Sequence, residues 1–308
     1  MVRRALASCS ALAVACGVAH ADTPIDQPTA FDVDREAPPA GRSELGFDGG
    51  APLETWGVSI GLGYLDRPVV VPQGIAVDHR ETFALGGAVA FGTSVVIEAR
   101  LPLAHQIGDR LSFLGTGGRL DRWVPGDLHF AARARVGGGK VASVFVRGDL
   151  GLPTGDDGDF AGDLRYSLAW NLIGRVDLGA VIIAANGGVK LRGGEVLVGG
   201  HVVGDELEGA LGLIVPIADP VKLTAEFDGA LGDNVAGKRG PSPAEVRVGA
   251  VVEPMTGLQL GLRVGAGLDE QIGAPRFRAM LEVAWHAPAP PPEPQPAEPE
   301  PTAPADED

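Results

Sequence analysis

After residue 21 the chain has no cysteine: Cys9 and Cys16 are its two, and both lie in the first apolar stretch. A disulfide framework is excluded, so stability has to come from the fold itself. No later run approaches the about eighteen uncharged apolar residues that a transmembrane helix needs. Aromatic residues are scarce, at 5%, so the 45% hydrophobic content is mostly aliphatic and small. Positive charge is also short. The 25 Lys and Arg face 40 Asp and Glu, for a net charge of −15, and no basic patch interrupts the acidity. A nucleic-acid partner is excluded on that ground. Helical periodicity is weak throughout, and 46 glycines with 25 prolines do not favour helices.

The N-terminus is informative. Arg3 and Arg4 precede an apolar stretch from Ala5 to Val18, and Ala19-His20-Ala21 forms an A-x-A cleavage site before Asp22. Residues 1–21 read as a secretory signal peptide. The competing reading is a lipoprotein acylated at Cys16, but Ala13-Val14-Ala15 lacks the leucine usual before such a cysteine. Residues 22–53 carry Asp, Glu, Pro and Gly with little periodicity and read as an extended periplasmic segment, one that can enter a bore.

Residues 54–285 alternate apolar and polar side chains in run after run. Successive side chains of a strand point to opposite faces, so each run has one apolar and one charged face. In the run from Asp127 to Val136, Leu128, Phe130, Ala132, Ala134 and Val136 oppose Asp127, His129, Arg133 and Arg135. The alternation predicts strands at 55–65, 82–91, 94–103, 127–136, 141–152, 164–177, 181–192, 206–217, 221–232, 244–254, 258–269 and 276–285. Tight turns such as Gly92-Thr93 and Met255-Thr256-Gly257 alternate with longer linkers at 66–81, 104–126, 153–163, 193–205, 233–243 and 270–275. Short turns at one end and long loops at the other, with an even strand count, predict an all-β fold. It is a closed antiparallel transmembrane up-and-down β-barrel of about 12 strands, which leaves no open edge.

Charge supports that reading. On this register Glu98, Arg100, Arg133, Arg135, Arg147, Asp149, Arg165, Glu208, Glu226, Asp228, Arg247, Arg263, Arg276, Arg278 and Glu282 all face inward, and the outward phase carries none. A charge facing lipid costs about 2–4 kcal/mol at the midplane, which accounts for the exclusion. A soluble sandwich would show the reverse. These charges are the candidate pore lining. Over all 25 inward charges, these and ten more, thirteen are basic and twelve acidic, which favours mutual pairing across the lumen over a strongly selective pore. From His286 to Asp308 proline and acid dominate, an extended disordered tail.

Three stretches carry a resemblance. Leu152-Pro153-Thr154-Gly155-Asp156 with Phe160-Ala161-Gly162-Asp163, Val203-Gly204-Asp205-Glu206-Leu207, and Gly273-Ala274-Pro275-Arg276-Phe277-Arg278 resemble the barrel loops of OmpA-family outer membrane proteins of Gram-negative bacteria. The resemblance covers roughly residues 50–308 and implies a location in the cell outer membrane. In that family a Pro/Glu-rich tail leads to a peptidoglycan-binding domain. Nothing here matches that domain, so peptidoglycan binding is not supported. Partners implied are outer-membrane lipid, lipopolysaccharide and the barrel assembly machinery, which reads an aromatic-ended last strand such as the one closing at Trp285.

Other chemistry is thin. Asp156, Asp157, Asp159 and Asp163 crowd one loop and form a weak calcium candidate without EF-hand spacing. His79, His105 and His201 fall in expected loops and His129 points inward, so no outward histidine offers the wall-mounted site of an outer-membrane phospholipase. No cofactor motif is present, and no enzyme is expected. The expected function is a structural or small passive-pore role. A solute-specific channel is the alternative, and a soluble secreted β-protein that binds a partner is the reading of another class.

Overall fold

The computed structural model describes residues 32, 34, 39–53, 55–108, 120–232, 234–235 and 238–287. The expected signal peptide, residues 1–21, and the expected tail from residue 288 lie outside them. The alternating runs become long strands: β1 Trp56–Val71, β2 Gly74–Phe91, β3 Val95–Gly108, β4 Leu120–Pro125, β5 Leu128–Gly138, β6 Ala142–Leu152, β7 Ser167–Asp177 and β8 Ile182–Arg192. A short hairpin of β9 Val196–Val198 and β10 His201–Val203 follows. Then come β11 Glu206–Ala218, β12 Val221–Gly232, the two-residue strands β13 Asn234–Val235 and β14 Lys238–Arg239, β15 Ala244–Met255, β16 Leu258–Gly267 and β17 Phe277–His286.

Each long strand pairs antiparallel with its neighbours, and β1 meets β17 from Gly57↔His286 to Asp66↔Phe277. The wall is therefore a closed antiparallel barrel of 12 strands, and each predicted run corresponds to one of them. Because the wall closes, no backbone ladder is left unpaired where water is absent. The last strand ends one residue beyond the expected boundary, at His286.

The exposed large hydrophobics are the outward phase, from Val58, Ile60 and Leu62 on β1 to Leu281, Val283 and Trp285 on β17. Trp56, Phe91 and Trp285 mark the short-turn end of this apolar belt, and Tyr64 and Phe277 the loop end. The opposite phase carries the buried charges, among them Arg147, Arg247, Arg263 and Glu226.

Four linkers expected as loops contain strand: 193–205 holds β9 and β10, 233–243 holds β13 and β14, and two others extend the wall itself. Residues 66–81 continue β1 and β2 into a hairpin around Pro72-Gln73, and residues 104–108 continue β3 upward to pair with β4. Val69-Val70-Val71 and Ile75-Ala76-Val77 flank that turn and are β-branched except at Ala76, which favours strand over loop. Above the rim the ribbons are wetter, and the outward phase there carries charge. His105 lies between Glu81 at 3.5 Å and Asp121 at 3.6 Å, stacked on Trp123. His79 stacks on Tyr64. Both histidines thus sit on strands rather than in loops, and His105 corrects the expectation that none shares the outward phase.

Candidate pore and its charge network

The loop end is roofed. Val69 and Val71 of β1, Ala76 and Val77 of β2, Leu120, Phe160, Val196, Val198, Val203 and Ile272 pack into one buried apolar cluster. Arg80 rises from β2 beneath it. Its guanidinium donates to the Phe160 carbonyl at 2.9 Å and pairs with Asp32 at 2.9 Å.

The short-turn end is filled by residues 39–53. Expected to extend into the periplasm, this stretch runs inside the bore. Leu45 and Phe47 pack on Ile182, Ala184 and Ile214, whereas Ala40 and Leu53 pack on Ala88 and Val96. Glycine makes the room. A Cβ on Gly212 would lie 2.5 Å from Leu45, and one on Gly57 2.7 Å from the Gly41 Cα. Gly41 itself has φ +81°, a left-handed conformation that glycine takes without strain.

The acids of this plug meet the bases of the wall. Asp48 takes Arg133 at 2.5 Å and Arg147 at 3.0 Å, and its carboxylate also accepts the Gly50 N–H. Glu44 takes Arg175 at 2.6 Å and Lys222 at 2.5 Å. Asp34 takes Arg278 at 3.0 Å. Charge-assisted pairs of this kind hold a buried segment in place only when their lone pairs are filled, as they are around Asp48.

The predicted lining residues divide by position. Glu98 pairs with Arg147 at 3.0 Å, and Asp149 lies between Arg147 at 3.3 Å and His129 at 3.0 Å. Across the bore, Glu226 bridges Arg247 at 3.1 Å and Arg263 at 3.3 Å. Glu282 meets Arg263 at 3.3 Å, Asp228 meets Arg247 at 2.6 Å, and Arg278 meets Glu245 at 2.8 Å. Arg100 and Glu208 line a cavity of ≈ 150 Å³ between the plug and the roof, with Asp48, His129 and Lys190. Three residues do not belong with these. Arg135 donates to the Gly139 carbonyl at 2.5 Å beside the turn, so it does not join Arg133 and Arg147. Arg165 precedes β7, is exposed, and donates to the Gly193 carbonyl. Arg276 precedes β17 and holds Asp66 at 3.2 Å on the exposed rim, apart from Asp269 and Arg263.

The four loop aspartates are spread apart. Arg122 of β4 holds Asp156 at 2.8 Å and Asp159 at 2.6 Å, and Asp163 turns to Arg192 at 3.4 Å. No group of three potential metal ligands occurs among the described residues. The arginine clasp is the function visible for these acids. Burial pushes the Asp163 carboxyl up, but Arg192 and Lys190 more than offset it and hold it below the ordinary value. Asp127, in the break between β4 and β5, accepts the Gly155 and Asp163 N–H groups, each at 2.8 Å. Burial still raises its carboxyl to about 6.

No family model matches the chain, and no curated protein matches it in sequence. Solved structures do. An outer membrane channel from Pseudomonas putida F1 superposes with a TM-score of 0.59 at 14% identity, over 79% of this chain and 99% of that one. The NanC porin gives 0.53 at 5% identity, over 75% and 100%. The fold is that of outer membrane channels and porins. At such low identity the likeness establishes the fold alone; it does not single out the OmpA-like family.

Proposed function

We propose that the chain is an outer-membrane β-barrel with a passive channel role, kept narrow by its own N-terminal segment. The supporting observation is the placement of Glu44, Leu45, Phe47 and Asp48 inside the bore, each against wall residues of fitting chemistry. Twelve strands enclose a bore only moderately wider than the eight-stranded kind that side chains nearly fill, so a short segment suffices to obstruct it. The apolar belt fits lipid chains, the wet ribbons above it fit a lipopolysaccharide leaflet, and Trp285 near the end of the last strand fits recognition by the assembly machinery. On this reading the protein belongs to the outer membrane of a Gram-negative cell. The reading rests on barrel and plug, and the loop motifs that resemble the OmpA family add only rim contacts, such as Arg122 with Asp156 and Arg276 with Asp66.

Two measurements test it. The protein should fractionate with outer membranes and migrate faster on gels unheated than heated. In planar bilayers the intact protein should give small conductance steps, well below those of a sixteen-stranded porin. A large, stable open conductance would contradict the plugged reading and favour a wide solute channel.

A further inference from the structure

The wall charges fall into two groups by the origin of their partners. Along β15, β16 and β17 the arginines Arg247, Arg263 and Arg278 take carboxylates of the wall, Glu226, Glu282 and Glu245, although Arg278 also meets Asp34 of the N-terminal segment. A second set of bases differs. Among the described residues, the carboxylates that meet Arg133, Arg175 and Lys222 come from the plug, as Asp48 and Glu44. These three bases rise from β5, β7 and β12 and converge on two carboxylate positions in the bore.

A second observation points the same way. A cavity of ≈ 340 Å³ opens at the short-turn end between plug and wall, lined by Arg133, Arg135, Lys140 and Arg175, with Asp177 its one carboxylate. Asp177 is already engaged by the Gly179 N–H at 2.8 Å. The lining therefore carries four bases against one carboxylate, and two of them, Arg133 and Arg175, are the bases that the plug neutralises. Phe145 lies under the Arg133 guanidinium at 5.2 Å and steadies it without supplying a charge.

We propose that this inner region is a binding site for small carboxylate-bearing anions. Glu44 and Asp48 occupy, in the plugged chain, the positions that a solute's carboxylates take when the segment is displaced. Arginine suits the task because its planar fork matches a carboxylate in two-point contact. The cavity is within the about 300–1,000 Å³ range of small-molecule sites. The inference deepens the channel reading and rests on it.

The test uses the full mature chain in detergent micelles, with citrate as the probe and calorimetric titration as the readout. Glu44→Gln with Asp48→Asn should bind citrate at least tenfold more tightly than the unaltered chain. Adding Arg133→Gln and Arg175→Gln should remove that gain. Heat-modifiable migration checks folding throughout; if the double variant does not refold, Glu44→Gln alone should still show a smaller gain. Equal citrate affinity in all variants, or affinity that survives loss of both arginines, would overturn the site. Bilayer recordings separate the two readings. Citrate binding without any ion current leaves the site standing and sinks the channel. Current without anion preference or citrate binding sinks the site and leaves the channel.

Discussion

Arg263 shows what a charged side chain requires in this wall. It is fully buried, and its guanidinium meets Glu226, Glu282 and the Ser43 carbonyl. Replacing it with Met should cost about 3–5 kcal/mol in urea unfolding from micelles, because buried Glu282 loses the arginine it meets and Glu226 is left with Arg247. The variant Glu282→Gln with Arg263→Met should recover part of that loss; a double variant as unstable as the single one would show that the stranded carboxylate is not the cause. The phase of the alternation is tested at the same scale. Leu211 is half exposed on the belt, and Glu208 lines the inner cavity. Leu211→Arg should impair insertion by about 2–4 kcal/mol if it lies mid-membrane, while Glu208→Gln should be tolerated. Equal effects on folding would contradict the register. Within the belt this phase was legible in the sequence, since lipid excludes charge from alternate positions whatever the tertiary detail, but Arg165 and Arg276 lie exposed outside their strands. The partners were not legible. Arg133 and Arg135 stand two residues apart on one face, yet one reaches the plug and the other a turn carbonyl, and only the path of residues 39–53 separates them.

At the scale of elements, strands were read well and the segments between them poorly. Pairing within the wall is enforced by a period of two, but residues 66–81 look like a loop only while Val69 to Val71 and Ile75 to Val77 are read separately. Taken together across Pro72-Gln73 they form a hairpin. The plug had a signal of its own, Glu44-Leu45-Gly46-Phe47-Asp48, where apolar and acidic residues alternate as in a strand. No register could assign it to the bore, because its partners lie on distant strands. The loop from 153 to 166 allows a pH test. Asp163 has its carboxyl lowered by Arg192 and Lys190 despite burial, so its contribution is complete above the ordinary carboxylate range of about 4 and fades below it. Asp127 is raised by burial to about 6, so its contribution is complete below the same range and is lost as pH rises through 6. Together they should make this loop most resistant to protease near pH 4–5. Resistance that rises steadily from pH 4 to 8 would contradict the assignment of Asp127.

At the scale of the whole molecule, closure follows from counting. Twelve strands with tight turns at one end bring the first strand beside the last, and Gly57↔His286 is the consequence. What counting could not supply is whether the cylinder is open. That depends on where the plug spends its time, and the absence of cysteine after residue 21 makes the question testable. A Cβ on Gly49 would stand 3.0 Å from the Ala184 Cβ, a little inside the about 3.5–4.5 Å of a disulfide. The Leu45 side chain, at 2.8 Å, would have to turn aside. Gly49→Cys with Ala184→Cys should therefore form a bridge after a small slide of the segment. Such a bridge ties the plug to β8, opposite the arginines that hold Asp48. Oxidised, this variant should show conductance steps no larger than those of the unaltered chain, with openings rare. Reduced, it should regain whatever larger and briefer openings the unaltered chain displays, because no covalent bond then joins segment and wall; the apolar contacts of Leu45 and Phe47 and the ion pairs at Glu44 and Asp48 hold it, and added salt weakens the pairs that water reaches. Raising the salt should accordingly lengthen openings in the reduced form, beyond the gain expected from carrier concentration, and leave the oxidised form unchanged apart from that gain. Identical recordings before and after reduction, at every salt concentration, would mean that the segment never leaves the bore and that the barrel is a closed structural element.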